Sequence, residues 1–214
     1  MAVVNAKYEF LMVDVGINGR VSDGGVINQT EFGRRFNGHQ LHLPRPEVLE
    51  EGDSVPLPYV FVGDDAFAMT ENLLKPYSEV HGKLNNDQRV FNYRLSRARR
   101  VVENAFGILA ARFGVLQKPI LLCPEKAQTV TLACCYLHNF LRQKSSTYLA
   151  CGNADWEDVD RNCHDGEWRA SQTELASLLT TSQKNMTSRA KQTRVMFQNY
   201  FCTRGVVPWQ QEHI

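Results

Sequence analysis

The sequence predicts an α/β domain that is followed by a helical C-terminal tail. Three observations support this prediction: apolar strand-like runs at residues 7–15 and 60–63, a helical apolar period over residues 86–113, and a second one over residues 125–143. At 214 residues with 43% apolar composition, the chain is long enough for one domain with its own core. The order strand, helix, strand, long helix, helix is typical of domains in which helices cover a sheet.

The N-terminal part predicts short, alternating elements. The nearly continuous apolar run at 7–15 predicts a strand buried on both faces. Apolar side chains then recur at helical spacing from about residue 25 to 36, which predicts a short helix. Residues 38–58 contain four prolines and favour a loop. A second buried strand is expected at 60–63, and residues 73–77 resemble a turn that Pro76 closes.

The C-terminal part predicts longer helices and a division of the chain. Prolines 119 and 124 separate the helix predicted at 86–113 from the one predicted at 125–143. We expect an α/β domain over residues 1–143 and an acidic flexible linker over residues 144–183, with at most one helical turn near 175–179. A basic amphipathic helix and tail are expected over residues 184–214.

Charge is distributed unevenly along the chain. The net charge of +1 makes no case for nucleic acid by itself. However, residues 83–118 carry eight Lys or Arg against two acids, residues 151–175 carry seven acids against two Arg, and residues 184–204 carry five basic residues and no acid. This pattern fits a phosphate-facing groove beside an acidic loop, and it fits two solvated helical faces beside a polar loop equally well.

Other motifs favour a reducing, intracellular protein. The six cysteines form no CxxC pair, and His39 and His42 lack further converging ligands for a zinc site. We see no signal peptide, no apolar run long enough to span a membrane, and no phosphate-binding GxxxxGK[ST] loop.

Two carboxylates are candidate metal ligands. Asp64 follows a strand-like run, and ligands collect at the carboxyl ends of strands in α/β sheets. Glu103 lies 39 residues later in the basic helix, where two carboxylates could share one Mg²⁺ with waters and phosphates. Structural roles remain open at this point: Glu103 could pair with Arg99 and Arg100 on a solvated face, and Asp64 could cap a helix or form a turn.

A set of short motifs in one order carries a resemblance to a known family. The motifs are Val13-Asp14-Val15-Gly16, Ser22-Asp23, Gly63-Asp64-Asp65-Ala66-Phe67, Leu73-Leu74-Lys75-Pro76-Tyr77, Phe91-Asn92, Arg97-x-Arg99-x-x-x-Glu103-x-x-Phe106-Gly107 and Leu137-His138-Asn139. Over most of residues 8–143, the chain resembles the Harbinger transposase-derived nucleases of the DDE superfamily. Each motif alone is weak, and their shared register makes the resemblance specific.

The resemblance implies an RNase H-like fold and a nuclease that binds Mg²⁺ or Mn²⁺ through three acids. Asp64 corresponds to the family's second acid and Glu103 to its third, so both are expected to be metal ligands and catalytic residues. The basic residues Arg97, Arg99 and Arg100 are expected to contact DNA phosphates. His138 and Asn139 are expected to brace the core. A DNA-directed nuclease implies the nucleus, with the cytoplasm left open, and no membrane partner.

The chain also departs from the family's pattern. No Asp-Gly-Thr segment supplies the first acid, so we expect a partial RNase H-like domain that lacks its first strands, with impaired activity. The alternative is a catalytically silent, domesticated remnant that binds DNA or a partner protein. A DNA-binding partner protein is a further expectation, since no separate DNA-binding domain is recognisable. The basic tail could contact DNA phosphates or dock a partner through Phe197, Tyr200 and Phe201.

Overall fold

A computed structural model describes residues 1–17, 23–49, 55–79, 82–150, 152–171 and 186–214. In these ranges the chain is a mixed α/β protein with five α-helices and three sheets of two strands each. The elements in chain order are β1 (Ala2–Val4), β2 (Phe10–Val13), α1 (Asp23–Gln29), α2 (Glu31–Asn37), β3 (Phe61–Val62), β4 (Leu73–Leu74), α3 (Asn86–Arg112), α4 (Pro124–Lys144), β5 (Trp156–Glu157), β6 (Cys163–His164) and α5 (Ser188–Cys202).

Two compact units divide these elements. The first unit contains residues 1–21 and 100–178, and the second contains residues 22–99 and 179–214. The long helix α3 contributes its residues up to Arg99 to the second unit and its residues from Arg100 onward to the first. No described helix is both long enough and apolar enough to cross a membrane.

In the first unit, an antiparallel pair of strands packs against helices. Strands β1 and β2 pair with the register Ala2↔Val13 and Val3↔Met12, followed by an irregularity after Val3. Helix α4 packs against β2, and the core of this unit contains Phe10, Ala105, Leu109, Cys134 and Cys135. The prediction of a strand buried on both faces is wrong for β2, because Leu11 is 65% exposed.

Side chains of α4 fasten this helix to β2. The amide of Asn139 accepts a hydrogen bond from Phe10 N and donates one to Phe10 O, both at 2.8 Å. The buried His138 bonds through Nε2 to Tyr8 O at 2.7 Å and through Nδ1 to the Tyr148 hydroxyl at 2.9 Å. The expectation that His138 and Asn139 brace the core is therefore confirmed.

In the second unit, a parallel pair of strands joins the aromatic core. Strands β3 and β4 pair in the register Phe61↔Leu73 and Val62↔Leu74, so the segment predicted as a turn at residues 73–77 begins as a strand. The core residues are Leu74, Phe91 and Leu95, with Phe197 and Phe201 of α5 packed against them. Those two aromatic side chains are therefore partly buried in this core.

Local signals explain where the helices of the second unit begin. The helix predicted at 25–36 is two helices, because Thr30 ends the first and caps the second by accepting a hydrogen bond from Gly33 N at 2.9 Å. Helix α3 begins with a reciprocal capping box: Asn85 Oδ1 accepts from Gln88 N at 2.9 Å, and Gln88 Oε1 accepts from Asn85 N at 3.1 Å. The predicted long helices at 86–113 and 125–143 are confirmed within two residues.

The part of the expected linker at residues 152–171, called the acidic segment below, carries regular structure of its own. Strands β5 and β6 form an antiparallel hairpin, and a 3₁₀ turn follows over Glu167–Ser171. The Trp168 side chain in that turn is buried, so this part of the expected linker packs as a structured element of the first unit. The helical turn expected near residues 175–179 lies outside the described residues.

Candidate functional site

The middle of α3 is its charged part. Buried side chains occur before it, at Val90, Phe91 and Leu95, and after it, at Ala105, Ile108 and Leu109. Between them lie the four predicted site residues of this helix, which are Arg97, Arg99, Arg100 and Glu103. The middle of the helix therefore carries three arginines and one carboxylate at positions outside its buried apolar residues, as the spacing of the apolar residues predicts.

The candidate metal ligand Glu103 lies beside a cation from the acidic segment. Its side chain is 48% exposed, and Arg169 Nη2 approaches its Oε2 at 3.7 Å. That separation is an ion-pair distance and is longer than a hydrogen bond. Arg169 is 66 residues further along the chain, so no local sequence pattern indicates this contact.

A buried carboxylate fixes the position of Arg169. The side chain of Asp155 is 1% exposed, and its two oxygens accept hydrogen bonds from Arg169 Nε at 2.9 Å and from Nη2 at 2.6 Å. Burial alone would raise the pKa of Asp155, but the hydrogen bonds from Arg169 and from Gly166 N outweigh it, so the pKa lies below its usual value. Asp155 is thus an ionised anchor for the guanidinium.

A buried amide on α3 holds the acidic segment against the helix. Asn104 Oδ1 accepts hydrogen bonds from Asp155 N at 2.9 Å and from Trp168 Nε1 at 2.8 Å. The indole of Trp168 lies over Gly107, where an added Cβ would come within 2.1 Å of the ring. The glycine therefore makes room for the tryptophan, and Asn104 satisfies two buried donors.

The predicted phosphate-binding arginines have separate surroundings. Arg100 Nη1 lies 3.5 Å from Glu157 Oε1 and 2.7 Å from Cys163 Sγ, so it contacts the β5–β6 hairpin. In the second unit, the Arg97 guanidinium lies near the rings of Tyr93 and Trp209, at 5.7 and 5.8 Å from their centroids. Arg99 is partly buried in the same unit.

The other candidate ligand, Asp64, follows β3 in the second unit. Its Oδ1 accepts a hydrogen bond from Ala66 N at 2.9 Å, which is the geometry of a side-chain turn. The neighbouring Asp65 has a different partner, because the ammonium of the buried Lys75 lies 2.9 Å from Asp65 Oδ1. The two adjacent acids therefore serve different local contacts.

The donor chemistry of Asp64 and Glu103 fits a divalent cation. Carboxylate oxygens suit Mg²⁺, which is commonly bound by one or two carboxylates together with waters and substrate phosphates. Within the described ranges, no group of three or more His, Cys, Asp and Glu side chains is gathered in a metal-binding arrangement. Asp64 and Glu103 belong to different units, so each is described by its own surroundings.

Comparison with known proteins gives the class of the chain. Residues 1–139 match the family described as DDE superfamily endonuclease. Because the match covers more than half of the chain and includes Asp64 and Glu103, the chain belongs to this family, which points to a transposase-derived nuclease that acts on DNA. No curated protein and no solved structure matches the chain. Members of the family usually use divalent metals.

Sequence reasoning missed Arg169, which lies beside Glu103, and the two residues Asp155 and Trp168, which bond to Arg169 and to Asn104 respectively. Asp155, Trp168 and Arg169 all lie in the segment expected to be a flexible linker. The available signal was the pair of tryptophans, Trp156 and Trp168, within a strongly charged stretch, since large aromatic residues are uncommon in solvated linkers.

Proposed function

We propose that the chain is a divalent-metal-dependent DNA endonuclease of the Harbinger transposase-derived branch, with an RNase H-like arrangement and a nuclear location. The family match and the ordered motifs support this proposal. The observation that carries it is the environment of Glu103. This carboxylate is half-exposed on a helix with several arginines, and its contact with Arg169 is longer than a hydrogen bond. Such a carboxylate can exchange this contact for a metal ligand at small cost.

In this proposal Asp64 and Glu103 each act as a metal ligand through a carboxylate oxygen. A bound Mg²⁺ or Mn²⁺ would supply charge stabilisation at the phosphodiester. The side chains of Arg97, Arg99 and Arg100 contribute cations for the phosphates of the DNA strand. With two carboxylates in these roles we propose weak metal affinity and slow hydrolysis, since the three-acid arrangement of the family binds the cation with one more ligand.

The test compares Asp64→Asn and Glu103→Gln with the unmodified chain in a plasmid-nicking assay with Mn²⁺ at low salt. Both substitutions keep the shape of the side chain and remove its charge, so we expect nicking to fall by about 100-fold or more, as for loss of a group that stabilises transition-state charge. Asp87→Asn is the matched control, because Asp87 is an exposed acid in the first turn of α3. Nicking that survives in both variants at the level of the Asp87→Asn control would refute the assignment.

The second candidate function is a catalytically silent protein that binds DNA or a partner protein. One observation favours it: the acidic segment supplies both Glu157 beside Arg100 and Arg169 beside Glu103, so charged partners already occupy the predicted site residues of the first unit. This hypothesis predicts DNA retention in a gel-shift assay without nicking, and the same retention for Asp64→Asn.

A further inference from the structure

The second unit contains a cavity that the nuclease proposal does not use. Its volume is about 420 Å³, and it lies between the segment after β4, the chain that leads into α3, and two residues before and within α5, Met186 and Arg194. The residues that matter here are Lys75, Tyr77, Lys83, Leu84, Met186 and Arg194, all of them in the same unit. Cavities of this size hold small organic ligands.

The most unusual group in this cavity is the guanidinium of Arg194. The residue is 8% exposed, and its Cζ lies 3.7 Å from the centroid of the Tyr77 ring. Its Nη1 donates to Pro76 O at the long distance of 3.5 Å, while its Nε is buried without a hydrogen-bond partner. An anion in the cavity would be a charge-assisted acceptor for this guanidinium, whose one backbone acceptor lies at a long distance.

The other charges of the cavity have the same sign. Among the described residues, its lining includes Lys75, Lys83 and Arg194 but no carboxylate. Asp65 offsets Lys75 through their 2.9 Å ion pair, whereas no carboxylate of the described residues forms an ion pair with Arg194. The lining thus retains an excess of positive charge, which favours a dianionic phosphate group.

The rest of the cavity lining combines polar and apolar side chains, and its wall is held in place. Pro76, Leu84 and Met186 offer surfaces against which a flat ring can pack. The Tyr77 backbone is fixed by the Asn92 amide, which donates to Tyr77 O at 2.9 Å and accepts from Tyr77 N at 2.7 Å. A preformed wall lowers the ordering cost of binding a ligand.

We propose that this cavity binds a nucleoside monophosphate group, with the phosphate at Arg194 and Lys83 and the base against Leu84 and Met186. The same chemistry is presented by a free mononucleotide and by the phosphorylated 5′ end of a DNA strand. Neither Asp64 nor Glu103 is a lining residue of this cavity, so the proposal stands whether or not the chain cleaves DNA.

The test is calorimetric titration of the full chain with dAMP and with deoxyadenosine at low salt. We expect saturable binding of dAMP, and at least about tenfold weaker binding of deoxyadenosine, because charge-assisted contacts to the phosphate are lost. Arg194→Gln should weaken dAMP binding by about tenfold or more, and Lys83→Gln by about threefold. Lys191→Gln is the matched control, because Lys191 is an exposed cation on α5 that does not line the cavity, and it should bind as the unmodified chain does.

A second Lys83 variant and a pair of trinucleotides complete the test. Lys83 is exposed, so Lys83→Glu leaves the fold intact even if Arg194→Gln does not, and it should weaken dAMP binding by more than Lys83→Gln. Trinucleotides with and without a 5′-phosphate identify the source: preference for the phosphorylated one assigns the site to strand ends, and binding of dAMP alone assigns it to free nucleotides.

Binding that Asp64→Asn leaves unchanged would separate this site from the proposed nuclease function. The proposal is overturned if the unmodified chain shows no saturable dAMP binding up to about 10 mM, a concentration that corresponds to only about 3 kcal/mol of affinity. It is also overturned if Lys83→Glu binds dAMP as tightly as the Lys191→Gln control.

Discussion

Arg169 and Asp155 form a two-point ion pair in which Nε and Nη2 of the guanidinium lie 2.9 and 2.6 Å from the two carboxylate oxygens. The same Nη2 lies 3.7 Å from Glu103. A buried acid of the acidic segment thereby holds a positive charge next to the carboxylate that the family pattern assigns to the metal. A divalent cation bound by Glu103, as proposed, would have to compete with Arg169 for this carboxylate.

The first prediction concerns that competition. The double variant Asp155→Asn/Arg169→Gln removes the cation beside Glu103 without changing the net charge of the chain. At a water-like dielectric, the attraction over this distance is about 1 kcal/mol, so we expect Mn²⁺ to bind a few-fold more tightly. Mn²⁺-induced relaxation of water protons measures this affinity, and an unchanged affinity in a folded double variant would show that Arg169 does not compete.

The second prediction concerns the pH dependence of stability. The folded-state pKa of Asp155 lies below its ordinary value, so its stabilising contribution is present above that ordinary value and is lost as the pH falls through the folded-state pKa. The free energy of unfolding in urea should therefore decline between about pH 5 and pH 3, and less steeply in Asp155→Asn.

The two proteins should differ most near neutral pH. There, Asp155→Asn is expected to cost about 2 kcal/mol, below the range for fully buried pairs, because Arg169 is partly exposed. The curves should converge at low pH, where Asp155 is protonated in the unmodified chain. A constant difference across this range would contradict an ionised Asp155.

The third prediction concerns the packing of the acidic segment on α3. Gly107→Ala places a Cβ within 2.1 Å of the Trp168 ring, so the indole must move away and lose its hydrogen bond to Asn104. We expect a red shift of tryptophan emission and a loss of about 2–4 kcal/mol, comparable to other overpacked or disrupted cores.

Gly114→Ala is the matched control for this change. Nothing lies within 4 Å of a Cβ added at Gly114, so this substitution should leave the emission maximum unchanged and alter stability by about 0.5 kcal/mol at most. Equal effects of the two substitutions would argue against the packing of Trp168 on α3.

The fourth prediction concerns Asn139. Asn139→Ala removes both hydrogen bonds to the Phe10 backbone, and we expect the first unit to lose about 2 kcal/mol of unfolding free energy. Hydrogen exchange at the Phe10 amide should accelerate more than exchange in the middle of α4. Lys126→Ala, an exposed change on the same helix, serves as the control and should leave Phe10 exchange unaltered.

Sequence predicts best those elements in which the apolar period is repeated over many residues. Helices α3 and α4 carry enough apolar positions to be predicted within two residues of their ends. The apolar run at residues 60–63 does indicate β3, whereas the two residues of β4 are too few for a strand pattern to show. Thr30 splits α1 from α2 through a capping contact that the apolar period does not reveal.

The candidate site follows from sequence only in part. The motifs indicate Asp64 and Glu103, and the family match covers both, whereas their metal-binding function stays a prediction. The contacts around Glu103 could not be predicted, because Arg169 reaches it through tertiary packing that depends on Asn104 and Trp168. The composition of the acidic segment predicts that it is solvated. In the structure, two buried hydrogen bonds to the Asn104 amide instead hold it against α3.

The amide of Asn139 also limits how the sheet of the first unit can grow. The Asn139 side chain bonds to both the N–H and the C=O of Phe10, so these groups of β2 are not available to pair with another strand. An additional strand, from this chain or from another, would have to break two 2.8 Å hydrogen bonds to pair there. A further strand would therefore add more easily along β1, and the β2 edge of this sheet is protected against pairing between molecules.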